Sequence, residues 1–201
     1  MKSAFKIDNW LLTIFSCALL MVIAVSSSAT LRAEDGATKK VTIKELTLEL
    51  PESWMKRETS NQFRLAEFEI PAPKADQENA ELVLFHFQGA AGTTDANIKR
   101  WISQFEEKGT SFNVKQGKLD SGSYVWVDIS GTYKKPVGPP ILGRFEKMED
   151  ARVVSVILNT GDDAYYLKLS GKQEVIKEVI DGFRKSFGGN AETETDYEFE
   201  I

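Results

Sequence analysis

The residues able to do covalent or metal chemistry are few in this 201-residue chain: one histidine, one cysteine and scattered carboxylates. His86 stands in the run LVLFHF, on the same strand parity as Leu82 and Leu84. A metal site wants clustered His, Cys or carboxylate ligands, and His86 has no HxH or HxxxH partner, so a packed or strand-end histidine is the simpler reading. Cys17 lies in an apolar N-terminal run after Ile14, Phe15 and Ser16, and the bulky Phe15 argues against a lipidation box. A serine triad would have to recruit His86, with no GxSxG elbow nearby. Glu67, Glu69, Glu81 and Asp128 could in principle form an acid/base pair, but acids are abundant and spacing alone brings no two together. The expectation is therefore no assigned catalytic, cofactor-binding or metal-binding residue.

Three other features could bind rather than react. GAAGTT, from Gly89 to Thr94, opens onto a helix N-terminus whose free N–H groups and positive dipole end suit an anion. It lacks the lysine and the spacing of a phosphate loop, and a plain turn into a helix capped at Thr94 explains it as well. The segment from Gly131 to Arg144, GTYKKPVGPPILGR, combines Tyr133, Lys134, Lys135 and Arg144 with prolines that limit backbone freedom and lessen the entropy lost on docking. It is the first choice for a contact surface, against the plainer reading of a solvated hairpin loop. Trp54, Trp101 and Trp126 would be stacking platforms for a carbohydrate, although their helix and strand periodicity favours core packing.

The elements that must position these residues follow from apolar spacing. Val41 to Leu50 alternates in two phases that break at Lys44 and Glu45, which predicts a strand with a bulge or bend, stopped by Pro51. Ala66, Phe68 and Ile70 against Leu65, Glu67 and Glu69 predict a strand with one wet face, and a loop from Pro71 to Asn79 follows. Leu82 to Phe87 is apolar on both parities and reads as a central strand. Ile98, Trp101, Ile102 and Phe105 form one helix stripe ending before Gly109, and Tyr124 to Ile129 reads as a further strand. Arg152 to Leu158 and Tyr165 to Leu169 predict an antiparallel hairpin. Ser170 with Gln173 resembles a capping box, Val175, Ile176, Val179, Ile180, Phe183 and Phe187 form a second stripe, and Gly188 closes it. The fold class expected is α+β, one domain over residues 41–188: a mainly antiparallel sheet flanked by two amphipathic helices. The tail 189–201 carries five acids and no base; disorder is expected, with pairing as an edge strand the alternative.

The N-terminus places this domain. Lys2 and Lys6 precede sixteen uncharged, mostly apolar residues from Trp10 to Val25, followed by small residues. That is the pattern of an export signal, 1–33 with cleavage after Ala33 or, alternatively, after Ala29, and residues 34–40 then form a polar leader. The other reading is an uncleaved inner-membrane anchor over residues 10–31. Either way the domain is exported, periplasmic or extracellular, and any membrane attachment is through this segment alone. Removing 1–33 also removes Cys17 and changes the net charge from −5 to −7, with 22 basic and 29 acidic residues left. That sign excludes a nucleic-acid footprint.

The element order, with the opening LTLELPESW from Leu46 to Trp54, resembles the PsbP-like fold, an α/β/α sandwich. The segments PAPKADQENAELVLFHF, NIKRWISQF and VDISGTY are similar to a group of exported bacterial proteins of unknown function. What the resemblance implies is a binding or assembly module, without a catalytic residue or cofactor to transfer. The function expected is thus a non-enzymatic binding or assembly role at the cell envelope, toward an unknown protein or envelope component. The alternative is a small-ligand-binding protein or hydrolase using a cleft near His86.

Overall fold

The computed structural model describes residues 36–87, 92–138, 142–161 and 163–200. The export segment, the glycine turn at 89–91 and the tip of the Pro/Gly segment at 139–141 lie outside them. Among the described residues no helix is long and apolar enough to cross a membrane.

Ten strands and two helices follow one another: β1 (Thr38–Ile43), β2 (Leu46–Pro51), β3 (Met55–Arg57), β4 (Ala66–Ile70), β5 (Ala80–Phe87), α1 (Thr94–Ile102), β6 (Ser111–Leu119), β7 (Gly122–Pro136), β8 (Phe145–Thr160), β9 (Asp163–Lys172), α2 (Gln173–Ser186) and β10 (Thr195–Asp196). Eight strands form one antiparallel sheet in the order β10-β6-β7-β8-β9-β5-β4-β3, while β1 and β2 pair only with each other. The strand period of two sorts the sheet's side chains into two apolar clusters. One face carries Phe68, Leu82, Leu84, Trp126, Val154 and Leu167 and is covered by α2 and the β1–β2 hairpin. The other carries Val125, Val127, Ile129, Val153 and Tyr166 and receives Ile98 and Trp101 of α1. The molecule is therefore layered α/β/α, the α+β class the sequence predicts.

Several local expectations change. The phase break at Lys44 is not a bulge but a turn: Ile43 faces Leu46 across it, and Lys44 takes a positive φ of 53°. The turn escapes detection because no Gly or Asn marks it. The wet face of β4 is only partial, since Glu67 is buried beside Ala66 and Phe68 while Glu69 stays partly exposed. Helix α1 is capped by Thr93, whose side chain accepts from the Ala96 N–H, rather than by Thr94. It stops at Ile102, and Phe105 reaches the core from the following turn, bridging to Tyr133. The capping box at Ser170 does not form: Ser170 stays in β9, paired with Glu81 and Val153, and the N-cap of α2 is Lys172 without a side-chain bond. Strand pairing outcompetes the cap. Gly188, at φ 83°, follows α2 as expected.

Two larger differences concern the ends of the sheet. The first part of the Pro/Gly segment is not loop, because β7 runs on to Pro136 and Tyr133 to Pro136 pair with Phe145 to Met148 after a bulge at Gly131. The leader contributes Thr38 to Lys40 to β1. The tail expected to be disordered adopts the alternative reading and more: Thr195 and Asp196 pair with Gln116 and Lys115 of β6, a strand that the weak alternation of SFNVKQGKL does not announce. Its acids are not all solvated. Glu194 is 5% exposed in a pair with Arg184 at 2.8 Å, and Tyr197 and Phe199 share one parity and pack on the α1-side cluster. The tail thus runs as a strap from α2 on one face, around the β6 edge, to α1 on the other, where the Tyr197 hydroxyl donates to Asp95 at 3.0 Å.

Candidate functional site

His86 keeps the parity of Leu82 and Leu84 and ends β5 on the α2-side face. Lys44 donates to its Nδ1 at 3.0 Å, so the neutral ring carries its proton on Nε2, which stands 3.4 Å from the Asp163 carboxylate. Its ring tilts against Tyr165 at 4.7 Å. Lys44 and His86 tie the β1–β2 turn to the end of the sheet, while the buried Nε2 makes no hydrogen bond.

The four carboxylates are consumed in ion pairs. Glu69 meets Arg57 at 2.8 Å, and the guanidinium holds its carboxyl below the ordinary range. Asp128 takes a two-pronged contact from Arg152 across β7 and β8 at 2.9 and 2.6 Å. Glu67 and Glu81 converge on one nitrogen of Arg64, at 3.1 and 2.9 Å. Burial alone would raise the Glu67 carboxyl, but the Ser60 N–H at 2.6 Å and Arg64 outweigh it and hold it low. Both carboxylates are thus engaged by the same guanidinium rather than facing each other as an acid/base pair. The tryptophans are core: Trp54, Trp101 and Trp126 are all buried, and Trp126 is covered by the Arg184 guanidinium at 3.8 Å.

An open concavity lies on the other face from His86. Where α1 and the turn after it leave the sheet uncovered, a cleft of about 450 Å³ remains. Val83, Phe85 and Phe87 of β5 and Tyr166 of β9 form its floor and wall, because the parity that buries Leu82 and Leu84 turns these residues the opposite way. Trp101 closes one side, edge-on to Tyr166, and Phe63 in the segment before β4 stands 58% exposed at the rim. The Pro/Gly hairpin supplies Lys135, Pro136 and Gly138, so that this expected contact surface and the sheet face meet at one place. Lys134 and Arg144, named with Lys135 in the sequence, do not line the cleft, and Tyr133 lines it from within β7, largely buried rather than presented on a loop.

The cleft is cationic in an acidic chain. Arg64, Arg100, Lys135 and Lys168 line it against the single acid Glu81, itself paired with Arg64. Lys168 lies deep in the protein yet at the floor of an open cleft, so water still reaches it. Its ammonium donates to Gln104 Oε1 at 2.8 Å and to the Tyr133 hydroxyl at 2.7 Å. Burial lowers its pKa to about 8, against the opposing pull of Glu81, and burial likewise pushes the Tyr133 phenol up. Ser155 stands across the strand pair from Lys168, which raises a serine–lysine couple. The Ser155 hydroxyl is 1% exposed, has no hydrogen-bond partner and does not line the cleft, so it is neither activated nor reachable. Lys168 was not singled out from the sequence, although one lysine in the otherwise apolar run YYLKL was a usable signal.

No family model matches the chain, and no curated protein matches it. Among solved structures it is similar to the PsbP protein of the cyanobacterium Synechocystis, with a TM-score of 0.47 and 10% identity over 81% of this chain and 94% of that one. It is also similar to a Pseudomonas aeruginosa protein of unknown function, at 0.39 and 14% over 75% and 93%, and to the Saccharomyces cerevisiae Ran-binding protein Mog1p, at 0.40 and 9% over 72% and 83%. These likenesses bring no function with them; the first of them carries the same fold name as the resemblance read from the sequence.

Proposed function

We propose that the chain is an exported, non-enzymatic binding module of the cell envelope, and that its binding surface is the cleft on the α1 face. The observation that supports this reading is the composition of the cleft: four basic side chains and an aromatic wall in a chain of net charge −5. Apolar walls with a few convergent polar groups are the usual make-up of a ligand pocket, and an aromatic surface in contact with water is costly to keep without use. A hydrolase at His86 has less behind it, because His86 is on the opposite face and engaged with Lys44 and Asp163. Export rests on the N-terminal pattern, and mass spectrometry of the mature N-terminus after expression in a bacterium tests it: retention of Met1 to Ala33 in a cytoplasmic fraction would remove it.

The binding half is tested by fluorescence titration of the folded chain with an anilinonaphthalene sulfonate dye. The dye is expected to bind with blue-shifted emission, and Arg100→Glu combined with Lys135→Glu to weaken binding by about tenfold. Equal binding by the double variant would take the cleft out of consideration.

A further inference from the structure

We propose that the floor of the cleft is a counter-ion site in which Lys168, hydrogen-bonded only to neutral groups, takes its opposite charge from the ligand: a small organic anion whose acid group meets Nζ and whose apolar body lies along the aromatic wall. The inference rests on the cleft being the binding surface. An ammonium has three donors, and the Gln104 amide oxygen and the Tyr133 hydroxyl take two, leaving one for a ligand. Among the described residues no carboxylate lies within ion-pair distance of Lys168. A cation partly screened from water, with only neutral groups and the Tyr133 ring beside it, is favoured further once an anion arrives. The charged and titratable groups around Nζ are the paired Glu81 on β5, Arg64 ahead of β4, Arg100 on α1, and Tyr133 and Lys135 on β7. Their sum is positive. Arg100 is itself held by an amide oxygen, Asn97 Oδ1 at 2.6 Å, and adds to the attraction without being spent on a carboxylate. The cleft's volume, about 450 Å³, suits a ligand of small-molecule size, and Phe85, Phe87, Trp101 and Tyr166 offer ring faces and edges to its body.

The site has a signature that a merely sticky apolar groove lacks. An anion placed against Nζ favours the charged amine, so binding near pH 8 draws a proton onto Lys168, while well below that pH the amine is already charged and none is drawn. Isothermal titration calorimetry with naphthalene sulfonate, which stays anionic throughout, reads this directly as buffer-dependent heat in phosphate and in Tris. Uptake of about half a proton per ligand is expected near pH 8 and almost none near about pH 6. Lys168→Met is expected to abolish the uptake and to weaken binding by about tenfold or more, and Lys168→Arg to bind without uptake, because a guanidinium stays charged. The neutral naphthalene sulfonamide is expected to bind weakly and without uptake. Binding of the sulfonate that depends on Arg100 and Lys135 but is as tight in Lys168→Met, or that carries no proton near pH 8, would overturn the counter-ion site and leave the cleft as the binding surface. Failure of the sulfonate to bind at all would overturn both.

Discussion

The two faces of the sheet are built from the same strands and yet are finished differently. On the α2 side, Phe183 and Phe187 stack around Trp126 and Tyr124, and α2 with the β1–β2 hairpin packs over Leu82 and Leu84. On the α1 side, a helix of nine residues packs Ile98 and Trp101 over the sheet, and Phe85 and Phe87 of β5 stay partly exposed beside four cations. The closed face carries the denser aromatic packing, and the open face carries the surface proposed above for binding. Burial of a residue on the first is about packing, and on the second about what it presents.

This contrast can be broken most sharply on the closed face. Phe183→Asp places a charge among Trp126 and Phe187 and is expected to unfold the domain; Phe183→Ala should cost about 4 kcal/mol, measured by denaturant titration. Next comes the strap. Glu194→Ala leaves the Arg184 guanidinium, 14% exposed, without its carboxylate, at an expected cost of about 3 kcal/mol. Trp101→Ala on the open face should cost about 2 kcal/mol, roughly half the Phe183→Ala loss, because water can fill the widened cleft. Equal losses for Trp101 and Phe183 would mean that the faces do not differ in the way described. Smallest is Lys40→Ala, whose partner Glu49 is solvent-exposed at 3.4 Å, with a change within about 0.5 kcal/mol.

The pH dependence sharpens the comparison further, since Lys168 and Tyr124 pull in opposite directions. Lys168 has a folded pKa of about 8, below its unfolded value, so the unfolded chain binds more protons above pH 8 and this group makes stability rise as pH climbs toward the ordinary lysine value. Tyr124, on the closed face, is pushed up to about 12 by burial and by Glu194. Above its unfolded value the unfolded chain loses protons first, so stability falls between about pH 10 and pH 12. Thermal melts across this range should pass through an alkaline maximum, and Lys168→Met should remove the rising limb while keeping the fall. A Lys168→Met curve that superimposes on the parent would contradict the buried-amine account.

Where the fold was legible in the sequence, one periodicity governed one element: the α2 stripe at Val175, Ile176, Ile180 and Phe183, and the β8–β9 hairpin with its short turn. It was illegible where two elements shared a segment or where pairing was non-local. The Lys44 turn carries no marker residue, the β7–β8 arms run into a segment that reads as loop by its prolines and glycines, and the β10 contact with β6 depends on a partner far along the chain. The candidate site follows the same rule. Lys135 drew notice from a local cluster, whereas Lys168, Arg100 and Arg64 come together only because α1 and the segment before β4 fold over β5 and β9.

The strap has a consequence for self-association. β6 would otherwise end the sheet as a nine-residue strand with free N–H and C=O groups, while the opposite edge, β3, is only three residues long. Thr195, Asp196 and the Tyr197 N–H occupy the middle of that edge, and Phe199 lies against Phe112 beside it. Clipping the chain after Gly189 would turn a capped rim into a template for adding strands from other copies, so light proteolysis of the C-terminus should shift the protein from a single species toward growing assemblies.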